Sequence, residues 1–229
     1  HRRDLRYPEV PEPLEVGTYD NHTHLEIADG DNPLTVAEQL DLAKRAGMLG
    51  AVQVGVTLDS SIWSAQVAEH EPMLLAAVAI HPNEAPLYKT RENLDAAIAE
   101  IEALAAQPRV RAIGETGLDY HYTAESAEVQ KASLRLHIEA AQDTGLPLII
   151  HARAADDDMA RILTEGYRAQ PYGCVMHCFS SSAELGRAAL DLGFYISFSG
   201  IVTFKSAKDL KAVAQYVPLD RLLIETDAP

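Results

Sequence analysis

Eight short apolar runs separated by longer amphipathic stretches constrain this 229-residue chain more than any other feature. The runs are V-G-T-Y-D, G-A-V-Q-V-G-V, L-L-A-A-V-A-I, V-R-A-I-G-E, P-L-I-I-H, G-C-V-M-H, F-Y-I-S-F-S and R-L-L-I-E-T-D. Apolar runs this short read as strands buried on both faces. Between them the pattern predicts helices over 35–46, 60–70, 92–106, 125–144, 156–164, 183–192 and 207–216. The first repeats apolar residues at Val36, Leu40 and Ala43, which lie on one helical face. Strands alternating with helices imply parallel pairing through right-handed crossovers, an α/β fold. Eight such units suit a closed (β/α)8 TIM barrel. An open doubly wound sheet is the competing arrangement, but its first strand would lead into a glycine-rich phosphate loop. Here that strand leads into D-N-H-T-H at residues 20–24. The expected organisation is a lead-in segment over 1–16 and one barrel over 17–229. The last strand ends at Asp227 and the chain stops at Pro229, so the barrel is expected to lack its C-terminal helix here.

Composition narrows the function classes. Hydrophobic residues make up 47% of the chain, enough for a sizeable core and too many for a disordered one. The net charge of −15 argues against a broad basic face for nucleic acid. It leaves room for a phosphate substrate, because bound cations reverse the sign of a pocket locally. No apolar run reaches the length of a membrane span. The N-terminal H-R-R-D-L-R-Y-P-E-V-P-E-P lacks the apolar stretch of a signal peptide. Cys174 and Cys178 sit inside an apolar run, where they read as small core residues of a reduced, cytoplasmic protein.

In a closed barrel, chemistry collects where the strands finish. The first strand ends with His22 and His24, which alternate and so point the same way. The third ends with His81, the fourth with Glu115 and Asp119, the fifth with His151, the sixth with His177 and the eighth with Asp227. Each residue alone is unremarkable, since single histidines near apolar runs are usually packed or hydrogen-bonded. Glu115 and Asp227 are different, because a carboxylate beside a buried strand is costly unless paired or metal-bound. Imidazole and carboxylate donors suit Zn²⁺, Mn²⁺ or similar ions, and four histidines with two carboxylates exceed the needs of one tetrahedral ion. Two ions are the natural inference, with Glu115 as the bridging candidate. Asp227 would bind one ion while accepting a proton from water acidified by the metal. No G-x-S-x-G sequence offers a covalent route. Arg153 is the candidate phosphate contact, unless it pairs with Asp156 or Asp157. His121 is a weaker candidate for touching substrate. His1 and His70 read as surface residues, and His137 as packed or half-exposed within a helix.

The motifs D-N-H-T-H-L, A-I-H-P, G-E-T-G-L-D-Y, L-I-I-H-A-R, V-M-H-C-F-S and L-L-I-E-T-D-A-P, in this order, resemble the TatD family of metal-dependent hydrolases. The resemblance runs from about residue 17 to the end. It implies a (β/α)8 barrel with His22, His24, Glu115, His151, His177 and Asp227 as ligands of divalent metals (Zn²⁺, Mn²⁺ or Mg²⁺), Glu115 bridging. It further implies that His81 lies beside the metals, near a substrate phosphate. Family members are associated with deoxyribonuclease activity, often 3′→5′ on single strands, and some with deacylation of mischarged tRNA. Two departures leave the ligand set intact: Glu26 stands where Asp is usual, and Thr116 replaces a larger apolar residue. The expected activity is therefore phosphodiester hydrolysis in DNA bound locally in the cleft, with His81 and Arg153 steadying the phosphate and no membrane or obligate protein partner. Ester or amide hydrolysis, as in an aminoacyl-tRNA deacylase, is one alternative, and a metal-binding scaffold without turnover is another.

Overall fold

A computed structural model describes residues 7–229; His1 and the rest of the first six residues lie outside the described residues. Eight parallel strands follow one another around a single sheet in chain order. They are β1 (Thr18–Thr23), β2 (Met48–Val54), β3 (Leu74–Val78), β4 (Val110–Asp119), β5 (Leu148–Arg153), β6 (Cys174–Met176), β7 (Tyr195–Phe198) and β8 (Leu222–Ile224). The helices are α1 (Val36–Arg45), α2 (Leu58–His70), α3 (Arg91–Ala105), α4 (Tyr120–Thr123), α5 (Ala127–Thr144), α6 (Asp156–Ala169), α7 (Ala183–Asp191) and α8 (Lys208–Tyr216). This is the (β/α)8 barrel that the alternation predicts.

Local chemistry starts and stops the helices. Thr35 caps α1 by accepting from the Glu38 N–H, and the Glu38 carboxylate accepts from the Thr35 N–H, a reciprocal box. Thr57 and Ser60 form the same device at α2. Gly145, left-handed with φ 71°, ends α5. Helix α2 starts at Leu58, two residues before the expected position, α4 has no counterpart in the expected pattern, and two further helices differ. The stretch from 125 opens with a short 3₁₀ turn, so α5 starts at Ala127. Helix α6 runs on past Thr164 through Gly166, because Tyr167 packs against the core and outweighs the low helix propensity of glycine.

The strand residues sort to two sides. Outward residues such as Leu74, Ile113, Leu148 and Ile150 join Leu94, Ile101, Leu134, Met159 and Ile162 in the layer between sheet and helices. Val54, Ala77, Ala112 and Ile149, with Val52, form a separate smaller cluster, the filling of the barrel interior. His151 lies two residues beyond Ile149 and so shares its inward face.

Closure between β8 and β1 is not a regular ladder. The Asp227 N–H donates to His22 O (3.0 Å) and the His24 N–H to Ala228 O (2.7 Å). The buried Asp20 carboxylate accepts from the Thr226 N–H (2.9 Å), and the Asn21 amide donates to Ile224 O (2.5 Å). The seam therefore ties the segment carrying Asp227 to the strand carrying His22. Residues 7–17 form no strand or helix, and the Leu14 N–H donates to Ala46 O at the end of α1.

Candidate metal centre

Two strands break register where they carry polar residues inward. Between Ile113 and Thr116, β4 spends three residues against two of β5, Leu148 to Ile150. Ala112 faces inward, so strict alternation would turn Glu115 outward; the extra residue turns it in. That residue is Gly114, where a Cβ would lie 2.4 Å from the Ile149 Cβ. Strand β1 does the same between Asp20 and Thr23, against Ala51 to Gln53 of β2, and His22 turns inward there. The first strand extends through His22 to Thr23, beyond the V-G-T-Y-D run that marked it in the sequence.

Glu115 sits at the centre of the cluster. Its Oε2 lies 3.3 Å from His22 Nε2 and 3.5 Å from His24 Nε2. Its Oε1 lies 2.8 Å from His177 Nε2, 2.9 Å from His151 Nδ1 and 3.5 Å from His81 Nε2. Asp227, partly exposed and left-handed with φ 61°, brings Oδ1 to 3.5 Å from His24 Nε2 and 3.8 Å from His22 Nε2. The two nitrogens of His22 and His24 are 3.2 Å apart, and the rings of His22 and His177 stack with centres 3.7 Å apart. All seven sequence-nominated groups of this cluster thus meet at the C-terminal ends of the strands.

The donors fit cations better than they fit one another. His22 Nδ1 and Glu225 Oε2 are buried without a hydrogen-bond partner among the described residues. Four sets of three side chains, such as His22–His24–Asp227 and His81–Glu115–His151, bring their ligand atoms within 4.8 Å of one another. Burial and the neighbouring His177 push the His22 pKa down, so its ring is neutral and one nitrogen keeps a lone pair for a cation. Burial also disfavours charge on Glu115, but His177 and the hydrogen-bonding imidazoles outweigh it and hold the carboxyl well below its usual range. Burial opposes charge on His24 as well, and Asp227 and Glu115 outweigh it, lifting the pKa to about 10.

Two supporting carboxylates escaped assignment from sequence. Asp119 stands at the end of β4, and its Oδ2 lies 3.0 Å from His151 Nε2 and holds that ring from behind. Glu225, buried, does the same for His177 Nδ1 at 2.9 Å. In I-E-T-D-A-P both acids stand at a strand end, two residues apart, and that spacing was the available signal. Asp119 itself is gripped by Gln130 of α5, which accepts from its N–H (2.8 Å) and donates to its carbonyl (3.0 Å).

Arg153 is exposed on the cleft rim and makes no ion pair with Asp156 or Asp157; its guanidinium sits over the Tyr122 ring, 4.8 Å from the centre. Asp156 accepts instead from the Ser182 N–H. His121 is exposed beside the cleft, and His70 is exposed on α2. Cys174 is a buried core residue, but Cys178 is not: it lines the cleft, left-handed with φ 41°, its Sγ 3.2 Å from Ser199 Oγ. The strand stops at Met176, so the alternation that would have buried it no longer applies. His137 is fully buried, accepting at Nε2 from the Ile80 N–H (3.0 Å) and facing Ser133 O with Nδ1 (2.7 Å).

The model of the family described as TatD related DNase matches residues 19–229. The chain belongs to the TatD family of metal-dependent hydrolases. A TatD-type metal-dependent hydrolase of Mycobacterium tuberculosis is 39% identical over 216 residues, covering 92% of this chain and 79% of that one. A protein of Edwardsiella piscicida named 3′-5′ ssDNA/RNA exonuclease TatD is 33% identical over 202 residues, covering 87% and 74%. The crystal structure of the TatD homologue YJJV from Escherichia coli superposes with a TM-score of 0.78 at 28% identity, covering 93% and 79%. This TatD-family chain is accordingly a metal-dependent hydrolase whose barrel gathers several His, Glu and Asp clusters able to hold metal ions. No helix among the described residues is long and apolar enough to cross a membrane.

Proposed function

We propose that this protein hydrolyses phosphodiester bonds in DNA, acting from the 3′ end of single strands. His22, His24, Glu115, His151, His177 and Asp227 would hold two divalent cations, Zn²⁺, Mn²⁺ or Mg²⁺, in a barrel spanning residues 17–229. The observation that carries the reading is Glu115, whose two oxygens face separate imidazole groups at 2.8 to 3.5 Å. Such ions, when bound, polarise a phosphoryl oxygen and make water acidic enough to be a nucleophile near neutral pH.

The side chains supply the rest. Asp227 reaches the cleft next to His24, where it would orient the attacking water and take its proton. His81 accepts at Nδ1 from the Asn83 N–H (3.1 Å), which leaves the proton on Nε2. That N–H borders the cleft and is able to donate to a phosphate oxygen as negative charge gathers there. Arg153 adds a permanent positive charge at the rim. Asp119 and Glu225 fix the tautomers of His151 and His177, so that the opposite nitrogen of each faces Glu115. With a net charge of −15, contact with DNA stays local to the cleft, which favours a free end or short single strand over long duplex. The name of the Edwardsiella piscicida relative supports this substrate class. The free thiols Cys174 and Cys178 suit a reducing, cytoplasmic setting.

The test is a side-by-side assay of the full chain, loaded with Mn²⁺ or Zn²⁺, on labelled single-stranded DNA, a chromogenic phosphodiester and a carboxylic ester. Release of nucleotides from the 3′ end is expected, abolished by chelator and lowered about 100-fold or more in Glu115→Gln. Hydrolysis of the ester with both phosphodiesters untouched would move the assignment to ester or deacylase chemistry.

A further inference from the structure

We infer that the cavity beside the catalytic cleft is a nucleoside subsite, in which the base adjoining the scissile phosphate stacks on the open face of Arg153; this rests on the phosphodiester reading above. Two cavities open at the C-terminal face of the barrel. One, of about 630 Å³, holds Glu115, His81 and Asp227. The other, of about 780 Å³, is bordered by His121, Asp157 and Ser181. They share Ala152, Arg153 and Ser180, so a chain leaving the Glu115 cleft in this direction passes over Arg153. Both volumes lie within the roughly 300–1,000 Å³ of small-molecule sites.

Arg153 is prepared for this role. Its guanidinium carbon lies over the Tyr122 ring, 4.8 Å from the centre, and among the described residues no carboxylate pairs with it. Two of the three nearby acids are engaged elsewhere: Asp156 accepts from Ser182 N, and Asp158 from the Tyr120 hydroxyl (2.7 Å) and Arg161 (2.7 Å). A planar cation with a ring beneath it and no ion pair keeps its donor edge for a phosphate and its other face for a base. His121, in edge contact with Tyr122 at 4.6 Å, lines the cavity together with Tyr120. Asp156, Asp157 and Asp158 make one wall acidic. That wall disfavours a second phosphate but accepts hydrogen bonds from base amino groups and sugar hydroxyls. The cavity therefore suits the uncharged base and sugar of a single-stranded nucleotide, its phosphate remaining on the Arg153 side. Tyr122 is a positioning residue acting through Arg153.

The experiment compares kcat/KM of the metal-loaded full chain on the dinucleotide d(TpT) with that on bis(p-nitrophenyl) phosphate, which carries no nucleoside. Arg153→Lys keeps the charge and loses the plane; Tyr122→Ala removes the supporting ring, and Tyr122→Phe retains it. The ratio of the two kcat/KM values is expected to fall about 10-fold in Arg153→Lys and Tyr122→Ala, chiefly through KM on d(TpT), and to return to within about twofold of the wild-type ratio in Tyr122→Phe. A ratio unmoved by Arg153→Lys and Tyr122→Ala overturns the subsite. A dinucleotide carrying 2-aminopurine, whose fluorescence is quenched on stacking, gives a reading independent of turnover. If neither diester is cleaved, the phosphodiester assignment fails; quenching by the wild type that is lost in Tyr122→Ala would still uphold the nucleoside site, and no quenching would overturn it.

Discussion

At the scale of single residues, His137 shows how far from the metal ligands the site is organised. It is buried on α5, and its Nε2 accepts the N–H of Ile80, one residue before His81. Replacing it by Leu leaves that N–H buried and unpaired, an expected cost of about 1–3 kcal/mol readable in urea denaturation. Gln, which keeps an acceptor, should recover part of it. Burial pushes the His137 pKa down to about 4 from an ordinary 6.5, although the hydrogen bond to Ser133 works the other way. The unfolded chain therefore takes up this proton before the native one does. The stability tied to neutral His137 is complete above pH 6.5 and is lost as pH falls through about 4, amounting to about 2 kcal/mol already at pH 5. Denaturation of wild type and His137→Gln at pH 7 and pH 5 checks this: the gap between them should narrow at the lower pH. Glu225→Gln is the matching test behind His177. It keeps a side chain of the same shape but removes the charge facing Nδ1, and metal affinity measured by competition with a chelator should fall about 10–100-fold.

At the scale of elements, β4 is the informative strand. The G-E-T-G sequence places a glycine on each side of the two residues that must exchange faces. At Gly117, with φ +151°, a Cβ would lie 1.9 Å from His151 O. Gly117→Ala is therefore expected to push β5 away or to distort β4, displacing His151 from Glu115. The prediction is a stability loss of at least about 1–3 kcal/mol with a loss of metal binding, checked by thermal melting and elemental analysis. Thr35→Ala, at the α1 capping box on the exterior, serves as contrast: about 1 kcal/mol of stability lost and metal content unchanged.

At the scale of the whole molecule, the proposed ligands come from β1, β4, β5, β6 and the segment after β8, so bound ions would tie five strand ends together. Saturating metal at about 100 times its Kd should raise stability by about 2.7 kcal/mol, or about 5–10 °C in Tm, reversed by chelator and largely absent in Glu115→Gln. The barrel itself was readable along the chain, because apolar runs alternating with amphipathic ones have few ways to bury themselves. The convergence of histidines and acids was readable too, once parallel strands place every strand end on one face. Three matters needed the third dimension. The inward turn of Glu115 depends on a one-residue register slip against β5, which alternation within β4 would have read the wrong way. The supporting roles of Asp119, Glu225 and His137 depend on partners 32 to 57 residues away. Cys178 left the core because β6 ends two residues before it. Periodicity and residue type are local properties of a chain and were enough for the elements and the inventory of donors; register and partner choice are settled only when separate strands meet, and here those two decide which way each donor points.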